Sequence, residues 1–156
     1  MKGFLGTPAS FSADLNLTVQ IALAMALMAG ALLARAKRYR AHGACMVAVL
    51  LLNLVMIALV MSPSFYELVL PRLVRHPERR SVVVAAVHGA LGLVAELLGL
   101  YIAMVAGTDR IPVRWRFKNW RAWMRAEFVI WWAVVILGIA TYIEWYGVPG
   151  VPTRAR

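Results

Sequence analysis

Residues 82–104 read VVVAAVHGALGLVAELLGLYIAM, an apolar run long enough to cross the roughly 30 Å hydrocarbon core of a bilayer. Two ionisable side chains, His88 and Glu96, interrupt it. Length and apolarity make the run a transmembrane helix, and its two polar groups must then be sheltered by protein, because a charge facing lipid is costly. A helix turns about 100° per residue, so Ala85, His88, Gly92, Glu96, Gly99 and Ala103 share one stripe. The small residues of that stripe allow close helix approach, which turns His88 and Glu96 toward neighbouring helices.

The rest of the chain supplies those neighbours. Of 156 residues, 62% are hydrophobic and only 15% charged, with a mean hydropathy of +0.72, the balance of an integral membrane protein. Spans are expected at about 15–34, 44–61, 82–106 and 124–145, each near the length that crosses a bilayer. They predict an all-α, four-helix antiparallel membrane bundle that uses residues 1–156 as one membrane domain. Pro and Gly gather at "MSPSF", "LPRLVRHPERR", "GTDRIPV" and "YGVPGVP", where turns are expected. The longest connection, Ser62–Ser81, includes "FYELVLPRLV", read as a short surface segment dipping into the interface. The first span is too long for the h-region of a signal peptide and is expected to stay in the mature chain. Cys45 is the sole cysteine, so neither an intrachain disulfide nor a CxxC motif exists.

The net charge of +10 sits in the connections. Arg35, Lys37, Arg38 and Arg40 follow span one, and Arg110, Arg114, Arg116, Lys118, Arg121 and Arg125 precede or open span four. Lys2, Arg72, Arg75, Arg79, Arg80, Arg154 and Arg156 lie on the other side. The positive-inside rule puts the more basic side in the cytoplasm and both termini outside. "RWRFKNWRAWMR" superficially resembles a stacking platform for single-stranded nucleic acid. Interleaved Trp and basic residues at headgroup depth are, however, the ordinary dress of a cytoplasmic membrane loop, and no nucleic-acid partner is expected. The expected partner surface is the lipid bilayer.

Counting faces on the other spans places the remaining polar groups. On span two, His42, Met46, Val49, Asn53, Met56 and Val60 share a face, with Asn53 near mid-membrane. Spans two and three run antiparallel, so Asn53 and Glu96 meet at one depth and are expected to hydrogen-bond, with the carboxyl carrying its proton. Span one offers Asn16 and Gln20 toward its outer end. Span four offers Trp131, Gly138, Thr141, Tyr142 and Trp145, with Glu144 nearby. His88 lies about 12 Å outward of Glu96 at 1.5 Å per residue, so an outer polar cluster of Asn16, Gln20, His88, Tyr142 and Glu144 is expected. His42 belongs to the cytoplasmic side. A membrane thickness separates it from His88, which disfavours bis-histidine ligation of one haem. Met46, Met56 and Met61 read as core filler before they read as a copper path. His88 is the one metal-ligand candidate these counts leave.

Four local patterns together resemble the YozB/CtaM-like family of small bacterial membrane proteins, a domain of unknown function linked to maturation of haem-copper terminal oxidases. Leu15-Asn16 followed by Gln20 is similar to the family's Leu-Asn…Asn start. "KRYRAHGACM", with His42 before the second span, and "VAAVHGALG", with His88 in the outer half of the next, are similar to its histidine positions. "WWAVVILGIATY" shows Trp131, Gly138 and Tyr142 in the order of its closing Trp…Gly…Tyr pattern. The resemblance covers roughly Leu15 to Tyr146. Pro63-Ser64 stand where the family tends to have Tyr-His, and Trp120-Arg121 where it has a loop histidine, so His88 and His42 each lack a partner the family would supply.

No nucleophile–base pair, phosphate loop or metal motif is present, and no enzymatic activity is expected. The resemblance implies a non-catalytic assembly or accessory protein of the respiratory chain in the bacterial inner membrane. It would engage an oxidase subunit, with transient copper or haem at His88. Two alternatives stand beside it. One is a haem- or quinone-binding membrane protein with His88, Asn16, Gln20 and Trp131 in its pocket. The other is a permanent small subunit of a respiratory or photosynthetic complex. A transporter is the weakest reading, because the spans show neither broken helices nor paired charges.

Overall fold

The computed structural model describes residues 2–108, 112–116 and 118–147. Arg110, Phe117, Arg154 and Arg156, which entered the charge and loop readings, lie outside the described residues. Four helices carry the fold: α1 (Phe11–Arg35), α2 (Tyr39–Arg75), α3 (Arg80–Gly107) and α4 (Trp120–Tyr146). Each is long and apolar enough to cross a membrane, and the chain is a multi-pass membrane protein built as an all-α bundle.

Local chemistry sets the boundaries. Ser10 caps α1, its Oγ accepting the Ala13 N–H at 3.3 Å, as N-cap hydroxyls do. At the other end Lys37 adopts φ 60°, a left-handed conformation uncommon for a side-chain-bearing residue, and this reverses the chain directly into α2. Asn119 caps α4 by accepting the Ala122 N–H at 3.3 Å. Between α3 and α4 one short 3₁₀ turn, Val113–Trp115, is tied back to the bundle by a hydrogen bond from the Tyr101 hydroxyl to the Trp115 carbonyl.

The second span departs from the sequence reading. The expected break at Met61 is absent, and the chain stays helical from Tyr39 to Arg75, so the supposed loop segment "FYELVLPRLV" is the C-terminal part of α2. Two π turns, Ile57–Met61 and Phe65–Val69, explain how. The Ser62 N–H bonds the Ile57 carbonyl and the Leu70 N–H bonds the Phe65 carbonyl, each five residues back and each just before a proline, Pro63 or Pro71. A proline ring in regular α-helix clashes with the carbonyl four residues earlier. The wider π turn gives it room, so the helix continues where sequence punctuation predicts a stop.

Each helix packs against two others, α1 on α2 and α4, α3 on α2 and α4, so the four form a ring in chain order. Leu23 and Leu27 of α1, Val49 and Leu50 of α2, Ala95 of α3 and Trp131 of α4 form the buried centre. Beyond it the outer part of α2 lies over the start of α3, where the Phe65 ring covers Gly89; a Cβ there would sit 3.3 Å from that ring. The N-terminal segment meets the last turns of α4 at one end of the bundle, through Thr7 and Tyr142.

Candidate functional site

Three polar constructions run through the bundle. At the terminal end, Asp14 is fully covered. Its Oδ2 accepts the backbone N–H groups of Phe4 (2.6 Å) and Leu5 (2.7 Å), and its Oδ1 accepts the Tyr142 hydroxyl (2.6 Å). Tyr142 has then used its one hydrogen, so Thr7 donates in the 2.7 Å contact between their hydroxyls. Carboxylates that collect several short donors hold strongly, and here Asp14 ties the backbone of Phe4 and Leu5 to α1 and α4. Glu144, one of the expected cluster, points elsewhere and pairs with Arg80 at 3.0 Å.

In the middle, the expected Asn53–Glu96 contact is present: Asn53 Nδ2 donates to Glu96 Oε2 at 2.8 Å. Gln20 joins it, its Nε2 donating to Asn53 Oδ1 at 2.9 Å, so Gln20 belongs to a three-helix amide–carboxyl chain rather than to a hydrogen-bonded outer cluster. The α1 register explains this, since Gln20 lies a turn deeper than Asn16. Nearer the opposite end, Glu127 accepts the Trp131 indole N–H at 2.8 Å.

Between these levels lies a cavity of about 870 Å³, lined by Asn16, Gln20, Asn53, His88, Trp131 and Tyr142 among mostly apolar neighbours. Its rim carries the exposed Ser12, Tyr66 and Glu67. Four of the five residues expected to cluster therefore line one space, without bonding one another, and Glu144 does not line it. His88 sits in the wall. Its Nδ1 lies 3.0 Å from the Val134 carbonyl, which can only accept, so Nδ1 carries a hydrogen, and in the neutral ring Nε2 keeps the lone pair. Fixing one ring nitrogen on a backbone carbonyl is how ligating histidines are usually oriented. The ring rests on Gly138, where an added Cβ would lie 2.9 Å from His88 Cε1. Asn16 is also among the lining residues, and its Oδ1 is buried without a protein partner.

Volume and lining match the ordinary dimensions of a small-molecule or cofactor site, apolar walls with a few placed polar groups. Among the described residues no group of three His, Cys, Asp or Glu side chains comes together, so a metal at His88 would have at most two such ligands. That donor set suits the axial position of a haem better than a copper site. His42 stays at the opposite end, its Nδ1 donating to the Gly30 carbonyl at 2.8 Å.

Three contributors escape the sequence reading. Asp14 and Thr7 lie before the expected start of span one. Glu127 lies inside span four, and its spacing of four from Trp131 is a signal that puts both on one helical face. No family model matches the chain, and no curated protein or solved structure matches it significantly.

Proposed function

We propose that this protein is a non-catalytic accessory membrane protein that holds a flat, largely apolar ligand of the haem or quinone class in the outer half of its bundle, in support of haem-copper terminal oxidase maturation. The observation that carries the ligand reading is the cavity of about 870 Å³ with His88, its ring held by Nδ1 on the Val134 carbonyl, among the lining residues. His88 would bind haem axially or accept a quinol hydroxyl. The oxidase context, the bacterial inner membrane and an oxidase subunit as partner rest on the family resemblance. Basic residues at the end opposite the termini, Arg35, Lys37, Arg38, Arg40, Arg114 and Lys118, support termini on the outer side.

Titration of the purified protein in nanodiscs with hemin and with a short-chain ubiquinone tests the reading. One equivalent of either probe should bind, and His88→Ala should weaken hemin at least tenfold and remove its histidine-ligated spectrum. Failure of both probes to bind stoichiometrically would overturn it. In cells, reduced-minus-oxidised spectra of membranes from a deletion strain should lose the oxidase haem signal, restored by wild type and not by His88→Ala.

A further inference from the structure

On the exposed side of the α1–α4 seam lies a second space, a groove of about 300 Å³ lined by Ile21, Ala24, Met25 and Met28 of α1 and by Trp132, Val135 and Ile139 of α4. Residues three and four apart share a helical face, so each set is one stripe of its helix. Ala24 and Val135 are buried and form the floor, while Ile21, Met25, Met28 and Ile139 are exposed and form the rims. Ala24 has no side chain beyond its Cβ, which leaves the seam unfilled at that point.

The groove adjoins the cavity, since Ile21, Val135 and Ile139 line both. The Asp14–Tyr142 contact sets its depth. The two helices run antiparallel, and counting inward from that contact pairs Ile21 with Val135 and Ala24 with Trp132. His88 rests on Val134 and Gly138, the chain neighbours of Val135 and Ile139. The groove therefore begins at the depth of His88 and runs about 10 Å further into the membrane, from Ile21 to Met28 at 1.5 Å per residue.

Polarity is ordered along this path. Toward the terminal end the cavity is lined by Ser12, Asn16 and Tyr142. Its deeper amides, Gln20 and Asn53, are engaged with each other and with Glu96. Beyond His88 the groove offers only hydrocarbon, two thioethers and one indole. A molecule with a polar ring toward the membrane surface and an apolar chain toward the midplane matches that order.

We propose that the occupant is a prenylquinone, its ring beside His88 in the cavity and its isoprenoid tail in the α1–α4 groove. This rests on the ligand reading above and chooses within it, because hemin has no tail to lay there. Lipid chains are as apolar as the groove, so its preference for this chain comes from the bound ring that tethers it.

Titration in nanodiscs with a short-tailed and a long-tailed ubiquinone tests the tail apart from the ring. Each homologue is compared between wild type and Ala24→Phe, so that its partition into the lipid cancels. Ala24 lines the groove and not the cavity. The substitution should weaken the long homologue about fivefold or more and leave the short one within about twofold. Weakening of both alike, or of neither, would overturn the tail track and leave the ring reading standing. Failure of the short homologue to bind wild type would overturn the ring reading and this inference with it. Should Ala24→Phe fail to fold, a long-tailed quinone with a diazirine at the tail's end decides on wild type. Its adducts should fall within residues 21–28 or 132–139 and disappear under excess unlabelled long homologue. Adducts there that quinone does not compete would mark a groove filled by bulk lipid and overturn the proposal, as would competed adducts confined elsewhere.

Discussion

Tyr142 donates its hydroxyl hydrogen to Asp14 Oδ1 across 2.6 Å, joining positions 128 residues apart. The same carboxylate holds the backbone of Phe4 and Leu5, so one side chain ties the N-terminal segment, α1 and α4 together. Asp14→Ala removes the acceptor for all three donors. Limited proteolysis should then cut within residues 2–10 at a protease concentration that leaves wild type intact. Tyr142→Phe removes one donor of the three and should give the smaller increase.

Gly138→Ala should disturb His88 before it disturbs the helix. An added Cβ stands 2.9 Å from His88 Cε1, so the ring must leave its bond to the Val134 carbonyl. Overpacking of this kind costs about 1–3 kcal/mol. Thermal unfolding in detergent should show a loss of that order, and hemin affinity should fall with it. His88→Ala in the same chain should recover most of the lost stability and none of the affinity.

Asn53 is the middle link between Gln20 and Glu96. Asn53→Leu keeps the branching and the number of heavy atoms and strands both partners, leaving the half-buried Gln20 amide and the buried Glu96 carboxyl each short of a hydrogen bond. Polar contacts between transmembrane helices average about 0.6 kcal/mol, while an orphaned buried group costs about 1–3 kcal/mol. Reversible unfolding in mixed micelles should show a loss nearer the second figure. A change below about 0.5 kcal/mol would mean that the amide chain contributes little to holding the bundle.

Glu144 supplies the contrast within the expected cluster. Its partner Arg80 is 84% exposed at the side chain, and surface ion pairs contribute about 0–1 kcal/mol. Glu144→Gln should leave hemin and ubiquinone binding at wild-type affinity and shift stability by less than about 1 kcal/mol.

What the sequence discloses follows from period and length. Four apolar runs and a stripe through His88 and Glu96 are enough to place the helices and to pair Glu96 with Asn53, because depth and face are both countable within a regular helix. The residues that close the terminal end are not countable in that way. Thr7 meets Tyr142 from an irregular segment whose path no periodicity encodes, and Asp14 stands in the first turn of α1, ahead of the apolar run that marks the span. The outer cluster is only partly legible for a related reason. Sharing a depth brings Asn16, His88 and Tyr142 to one space, but which groups bond is decided by ring and amide orientations that spacing does not contain. Glu127 is different, since its face and depth are both readable from its place four residues before Trp131.

The two π turns of α2 also act as corrections of rotational phase. At about 100° per residue, Phe65 in an unbroken α-helix would point about 120° away from Asn53. A π turn takes up one additional residue without advancing the rotation, which brings Phe65 back to within about 20° of Asn53 and so onto Gly89 and the cavity. Wound as regular α-helix, the same residues would turn the part of α2 beyond Met61 by about 100° and carry Phe65 off Gly89 and the cavity; deleting a single residue from Ile57–Met61 would instead keep the phase and take away the room made for Pro63. The shape of the cavity's outer wall is thus set by the number of residues in one turn of helix, as much as by which residues they are.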